Sequence, residues 1–409
     1  MKRLLLVSML LAIAAAAALS GQLQQAHGST ASVGNHVGGL VPPIHGLQPN
    51  DNCPPSGCGS GDLLFHGGPI MTTQKAYAIY WVPAGYSNAT AYDTTINQFL
   101  TDVAADSGKS TNVFSTDVQY MGSNGSIAYS NTFGGSVTDT HAFPASGCPL
   151  YNGLAECLTD AQIIAEVDSV IAAQGWTRNA STIFFMFTPS NVGSCFDSGG
   201  GTCAYTAYCA YHGYTPSGAI YANQPYAFNP NCDVGEYPNG SSNQADPTIN
   251  VASHEFNEAI TDPQVNISSA WYDAAGYENG DKCAWTFGTR SGSAGAQYSN
   301  TINGHHYFLQ EEFSNDGHLC MQTYGTVGGG PPQITSFAPT RGRAGTKVTL
   351  TGKNFTGTTS VKLRSTSASF TVLSSTQIRT TVPSGVSGLA RWTVTTPKGT
   401  AQSTLFCAC

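Results

Sequence analysis

The chain has 409 residues, a net charge of −8 and only 10% charged side chains. That balance, with no basic stripe to neutralise phosphates, excludes a nucleic-acid binder. The length leaves room for one large domain and one small one.

Residues 1–20 open with Lys2-Arg3 and continue as an apolar run from Leu4 to Leu19. This is the pattern of a secretory signal, and the run is on the short side for a bilayer span. An exported chain with no membrane span after cleavage is expected. Its twelve cysteines then read as disulfides, and no Cys-x2-Cys pair speaks for a zinc ribbon. Cys53 and Cys58 are close enough to pair, as are Cys148 and Cys157. Cys195, Cys203, Cys209 and Cys232 cluster ahead of the central motif, Cys283 and Cys320 bracket its far side, and Cys407 pairs with Cys409 or elsewhere.

Residues 21–60 are polar, rich in Gly, Pro and His, and predict a flexible lead or propeptide. The main domain is expected over 61–326. It starts with a strand at 76–82, a helix within 87–104, and short alternating strands with Gly/Asn turns over 111–143. Thr159-Asp160-Ala161-Gln162 reads as a capping box. Ile163, Ile164, Val167, Val170 and Ile171 give the helix it opens an apolar face, and Gly175 closes it. A buried strand follows at 181–187. Residues 195–243 read as a disulfide-tied surface loop, with a cleft wall as the alternative. Gly328-Gly329-Gly330-Pro331-Pro332 marks a linker over 327–332. From 333 to 409 strict alternation between Gly turns predicts a β-sandwich.

The chemistry concentrates in Asp246-Pro247-Thr248-Ile249-Asn250-Val251-Ala252-Ser253-His254-Glu255-Phe256-Asn257-Glu258-Ala259-Ile260-Thr261-Asp262-Pro263. Asp246 reads as the N-cap of a helix and Pro247 as its first residue. Ala252, Phe256, Ala259 and Ile260 form one buried face, and Pro263 stops the helix. His254 and Glu258, four residues apart, project together and can share a divalent cation. Glu255 beside them is the candidate base that takes a proton from metal-bound water. Glu278 lies twenty residues past Glu258, with Asp281 three beyond it.

This spacing resembles the thermolysin-like gluzincin metallopeptidases. The resemblance implies zinc held by His254, Glu258 and Glu278, with Glu255 as base and Asp281 as a supporting carboxylate. Glu258 departs from the family's second His. A His with two carboxylates still suits zinc, with calcium as the rival because the oxygens are hard. An oxyanion donor is also needed, and His305, His306, Tyr307 and His318 are its candidates. A second resemblance runs through Phe65-His66-Gly67-Gly68-Pro69, Cys209-Ala210-Tyr211-His212, Ser253-His254-Glu255, Ala270-Trp271-Tyr272, Glu278-Asn279-Gly280-Asp281-Lys282-Cys283 and Phe308-Leu309-Gln310. This order is similar to the EXORDIUM, or phosphate-induced protein, family of secreted cell-wall proteins. It implies an extracellular setting and a protein or cell-wall polysaccharide as partner. Residues 333–409 are similar to the IPT/TIG immunoglobulin-like domain. The expected fold is thus an α+β zincin-like main domain followed by an all-β immunoglobulin-like sandwich. Function divides between a secreted zinc-dependent hydrolase of peptidase type and a non-catalytic binding or signalling protein. Oligomeric state is not legible.

Overall fold

A computed structural model describes residues 37–43, 57–265, 267–324, 331–355, 358–374, 376–396 and 399–409. The expected signal at 1–20 and the residues at 325–330 of the linker region lie outside these. The described chain is mostly β, with few helices.

Six strands form the central sheet of the main domain: β1 (Val37–Val41), β2 (Gln74–Trp81), β3 (Asn131–Asp139), β4 (Thr182–Phe187), β5 (Ala210–Tyr214) and β6 (Ile220–Gln224). Their spatial order is β1-β5-β6-β4-β2-β3. β6, β4, β2 and β3 run parallel, while β5 and β1 add antiparallel at one end. Three helices flank the sheet: α1 (Tyr92–Ala105), α2 (Asp160–Gln174) and α3 (Asp246–Thr261).

Strand alternation sorts the side chains onto two faces. Ile183, Phe185 and Phe187 join Ala76, Ala78 and Tyr80 in a core with Ile96 and Phe99 of α1 and Ile249 and Phe256 of α3. Phe184 and Met186 join Tyr77, Ile79 and Trp81 in a second core with Ile163, Val167, Val170 and Ile171 of α2. The sheet is covered on both faces, which is why 181–187 reads as a continuous apolar run. The capping box of α2 is present. The Thr159 side chain accepts from Gln162 N, and Gly175 ends the helix in the left-handed conformation with φ 66°.

Two expectations are corrected. The segment 195–243, read as a surface loop, contributes β5 and β6, both inside the sheet. Its Cys, Gly and Pro content hid two five-residue strands that only long-range pairing stabilises. Of the stretch 21–60, read as a flexible lead or propeptide, residues 21–36 and 44–56 lie outside the described residues, and Val37–Val41 is β1, which pairs with β5 and satisfies an edge that would otherwise be open. The disulfides Cys148–Cys157, Cys195–Cys203, Cys209–Cys232, Cys283–Cys320 and Cys407–Cys409 are formed. Cys58 is also disulfide-bonded, and Cys53 lies outside the described residues.

The C-terminal domain is a β-sandwich of two four-stranded sheets. Val348, Leu350, Val361, Leu363, Ile378, Trp392, Val394 and Phe406 fill the space between them. This is the alternation read from the sequence, with one face of each strand turned inward.

Candidate metal centre

α3 is buried along its whole length. Ala245 occupies the N-cap position, so Asp246 is the first helical residue rather than the cap. The Asp246 carboxylate instead accepts from the backbone N and side-chain Nδ2 of Asn239. At the other end the backbone leaves the helix at Asp262, just before Pro263, and Asp262 Oδ1 accepts from Ala270 N at 2.8 Å.

His254, Glu255 and Glu258 are all fully buried. His254 Nε2 lies 2.9 Å from Glu258 Oε1, as the i, i+4 spacing requires. Its Nδ1 meets Gln310 Nε2 at 2.6 Å, and the same amide donates to Gly280 O at 3.1 Å. The loop after β-strand Trp271–Tyr272 brings in Glu278 and Asp281. Asp281 N donates to Glu258 Oε1 at 2.8 Å, and Asp281 Oδ1 is 3.8 Å from His254 Nε2.

β5 supplies a residue that sequence reasoning did not place. Tyr211 faces α2, so alternation turns His212 toward α3. Its Nδ1 lies 3.0 Å from Glu255 Oε2 and 3.7 Å from Glu258 Oε2, and its Nε2 is 3.2 Å from the Asp262 carbonyl and 3.8 Å from Glu278 Oε1. A carbonyl only accepts, so Nε2 carries a proton.

Two three-residue sets bring ligand atoms within 4.8 Å of one another: His212, Glu258 and Glu278, and His254, Glu255 and Glu258. Glu258 belongs to both. The sequence-derived trio His254, Glu258 and Glu278 is not itself one such set among the described residues. The block Cys209-Ala210-Tyr211-His212 was the available signal for His212, and Gln310 ended another block. Neither residue type at that spacing announces a role without the fold.

The electrostatics follow from burial. Five buried carboxyl groups, Glu255, Glu258, Asp262, Glu278 and Asp281, gather around the buried imidazoles of His212 and His254. Burial pushes Glu255 up to about 7 against the hydrogen bond from His212, and it pushes Asp262 to about 7. Burial first, then Glu258, raises Glu278 and Asp281 well above the ordinary carboxyl range. Burial alone would lower both histidines. For His212 the hydrogen bond and charge of Glu255 with the charge of Glu258, and for His254 the charge and hydrogen bond of Glu258 with the charges of Glu255 and Asp281, together outweigh it, so both are raised. Glu258 Oε2 and Glu255 Oε1 have no hydrogen-bond partner. Buried, unpartnered carboxylate oxygens among acidic neighbours demand protons or a cation, and nitrogen with oxygen donors suits zinc.

A cleft of about 570 Å³ reaches the cluster from the surface, lined by His66, Asp262, Ser268, Ser269, Tyr272 and Glu278 among others. Its size suits a small-molecule or side-chain site. His66 stacks on Tyr272 at the mouth, with ring centroids 3.5 Å apart. The proposed oxyanion donors have other partners. His305 Nδ1 and Tyr307 OH bond Asp102, His318 bonds Asp62, and His306 stacks on Tyr298.

Residues 332–406 match the family model of the IPT/TIG domain, so the C-terminal sandwich is an IPT/TIG domain. No curated protein matches the chain. Solved structures similar to part of it include SGBP-B from a complex xyloglucan utilization locus in Bacteroides uniformis, at 24% identity over 24% of this chain and 26% of that chain, TM-score 0.19. Another is the gamma-CGTase from alkalophilic Bacillus clarkii, at 22% identity over 27% of this chain and 17% of that one, TM-score 0.19. A third is an auxiliary nutrient binding protein from Bacteroides thetaiotaomicron, at 20% identity over 18% and 19%, TM-score 0.16. The matched portions are 26%, 17% and 19% of those chains, and at these TM-scores they carry no argument about function.

Proposed function

We propose that the chain is an exported, disulfide-bonded protein whose main domain holds a divalent metal, zinc first, in a hydrolytic site of peptidase type. The carrying observation is the convergence of buried His212, Glu258 and Glu278 on one point beside His254, where Glu258 Oε2 has no hydrogen-bond partner. Glu258 and Glu278 would hold the cation with His254, which lies against Glu258 Oε1, while His212, hydrogen-bonded to Glu255 and to the Asp262 carbonyl, would position the acidic groups around it. Bound there, zinc would lower the pKa of a water to about 7 and polarise a carbonyl.

The chain's own residues have separable tasks. Glu255 Oε2 is held by His212, which leaves Oε1 to accept a proton. Asp281 fixes Glu258 through its backbone N–H. The cleft admits a substrate group as far as Glu278. Among the described residues its lining carries Asp262 and Glu278 and no Lys or Arg, so neutral or cationic groups are favoured over anions. Five described disulfides support export, and no helix among the described residues is long and apolar enough to cross a membrane.

The second reading is a non-catalytic extracellular protein of EXORDIUM type that keeps the centre for structure, with a cell-wall polysaccharide or protein as partner. The complete burial of Glu255 and its contact with His212 favour it. Metal content and hydrolysis of a casein-type substrate, measured on wild type, Glu255→Gln and His254→Ala, separate the two. Under the first reading wild type holds a zinc that depends on His254 and cleaves, Glu255→Gln keeps that zinc without turnover, and His254→Ala loses that equivalent together with cleavage. Bound metal with no turnover by any form selects the second reading. A folded wild type that binds no metal after exposure to zinc refutes the centre.

A further inference from the structure

The opposite edge of the sheet gathers another set of metal-binding side chains, remote in sequence from α3. β3 is the edge strand there and ends at Asp139. His141 follows two residues later, and Glu166 projects from α2. Trp81 Nε1 donates to the His141 carbonyl at 2.9 Å, which anchors that turn to the end of β2. Ligand atoms of Asp139, His141 and Glu166 all lie within 4.8 Å of one another.

The hydrogen bonding leaves this group short of positive charge. His141 Nδ1 is 2.8 Å from Glu166 Oε1 and 3.2 Å from Asp139 Oδ1, so two carboxylates face one ring nitrogen. A ring nitrogen carries at most one proton. The Asp139 side chain is only 6% exposed, and its Oδ2 is buried with no hydrogen-bond partner.

The spacing suits a cation. Zinc binds imidazole nitrogen and carboxylate oxygen at about 2.0–2.2 Å, so donor atoms around it stand about 3.0–3.5 Å apart. The two separations from His141 Nδ1, 2.8 Å to Glu166 and 3.2 Å to Asp139, reach that range with shifts of a few tenths of an ångström. One nitrogen and two carboxylates favour a transition metal over calcium. The His141 side chain is 62% exposed, which leaves the remaining coordination positions to water.

We propose that Asp139, His141 and Glu166 form a solvent-accessible site for a divalent transition metal that clamps the end of β3 to α2. This site is independent of the buried centre. The test is equilibrium dialysis of the full chain against Zn²⁺, with bound metal counted for wild type, His141→Gln, Glu166→Gln and Glu258→Gln, and far-UV circular dichroism as the fold control. His141→Gln and Glu166→Gln each lose one zinc equivalent, or bind it at least about tenfold more weakly. Both remain folded, because His141 is exposed and Glu166 lies on the rim of α2. Glu258→Gln retains the equivalent that depends on His141, so the outcome does not hang on the α3 centre. A count unchanged by His141→Gln overturns the site, as does a wild type that takes up no zinc.

Discussion

Gly280→Ala tests whether the buried cluster is a built cavity or loosely packed side chains. Gly280 has φ −69° and ψ −47°, so alanine meets no backbone penalty there. Restricting the unfolded chain would by itself stabilise the protein by about 0.4–1 kcal/mol. The added Cβ, however, would lie 2.9 Å from Glu258 Oε1 and 3.0 Å from His254 Cδ2 and Cε1. Ordinary contact needs about 3.5–4.0 Å, so both groups must retreat by roughly half an ångström. Neither retreats freely, because Asp281 N holds Glu258 and Gln310 holds His254. Overpacking of this kind costs about 1–3 kcal/mol, and the net expectation is a loss of about 1–2 kcal/mol. Displaced ligands should weaken zinc by about 10–100-fold. Urea denaturation with and without zinc measures both quantities. Equal stability and equal zinc affinity in Gly280→Ala would refute the reasoning, since the site would then tolerate a methyl group at its centre.

Burial alone raises the Glu311 carboxyl to about 7, above its ordinary value of 4.5. The folded state therefore binds this proton more tightly. The associated stability is full below about pH 4.5 and is lost as pH rises through about 7. Glu311→Gln should leave stability near pH 4.5 unchanged and raise it above pH 7.5 by about 1–3 kcal/mol, read from denaturant midpoints at both pH values. A mutant that tracks wild type at both would exclude the raised carboxyl. The Cys283–Cys320 disulfide closes a separation of 37 residues, and Cys283 ends the short 3-10 turn that starts at Asp281. The double replacement Cys283→Ser/Cys320→Ser should cost about 2–5 kcal/mol and lower metal occupancy as well. Retained occupancy with the expected loss of stability would show that Asp281 is positioned by other contacts.

Local signals were strong where one segment suffices to define an element. The α2 capping box, the Gly175 stop, the helix through His254 and Glu258, and the alternation of the sandwich all depend on neighbours within a few residues. These the sequence made legible. The α3 start was misplaced by one residue, because Asn239 draws the Asp246 side chain away from the cap role.

The non-local features were decided in three dimensions. Residues 195–243 held two inner strands whose partners lie in β4 and in β1, and no local pattern could identify those partners. β1 itself owes its conformation to the edge of β5. The candidate centre shows the same division. His254, Glu255 and Glu258 share one helix and follow from its spacing, and Glu278 was placed by the gluzincin resemblance. His212 enters because Tyr211 turns to α2 and sends its neighbour to α3. Gln310 enters because a distant loop packs against His254. Helical spacing is a property of consecutive residues and survives without the fold. Which strand face meets which helix depends on register and sheet order, and only the packed tertiary structure sets those.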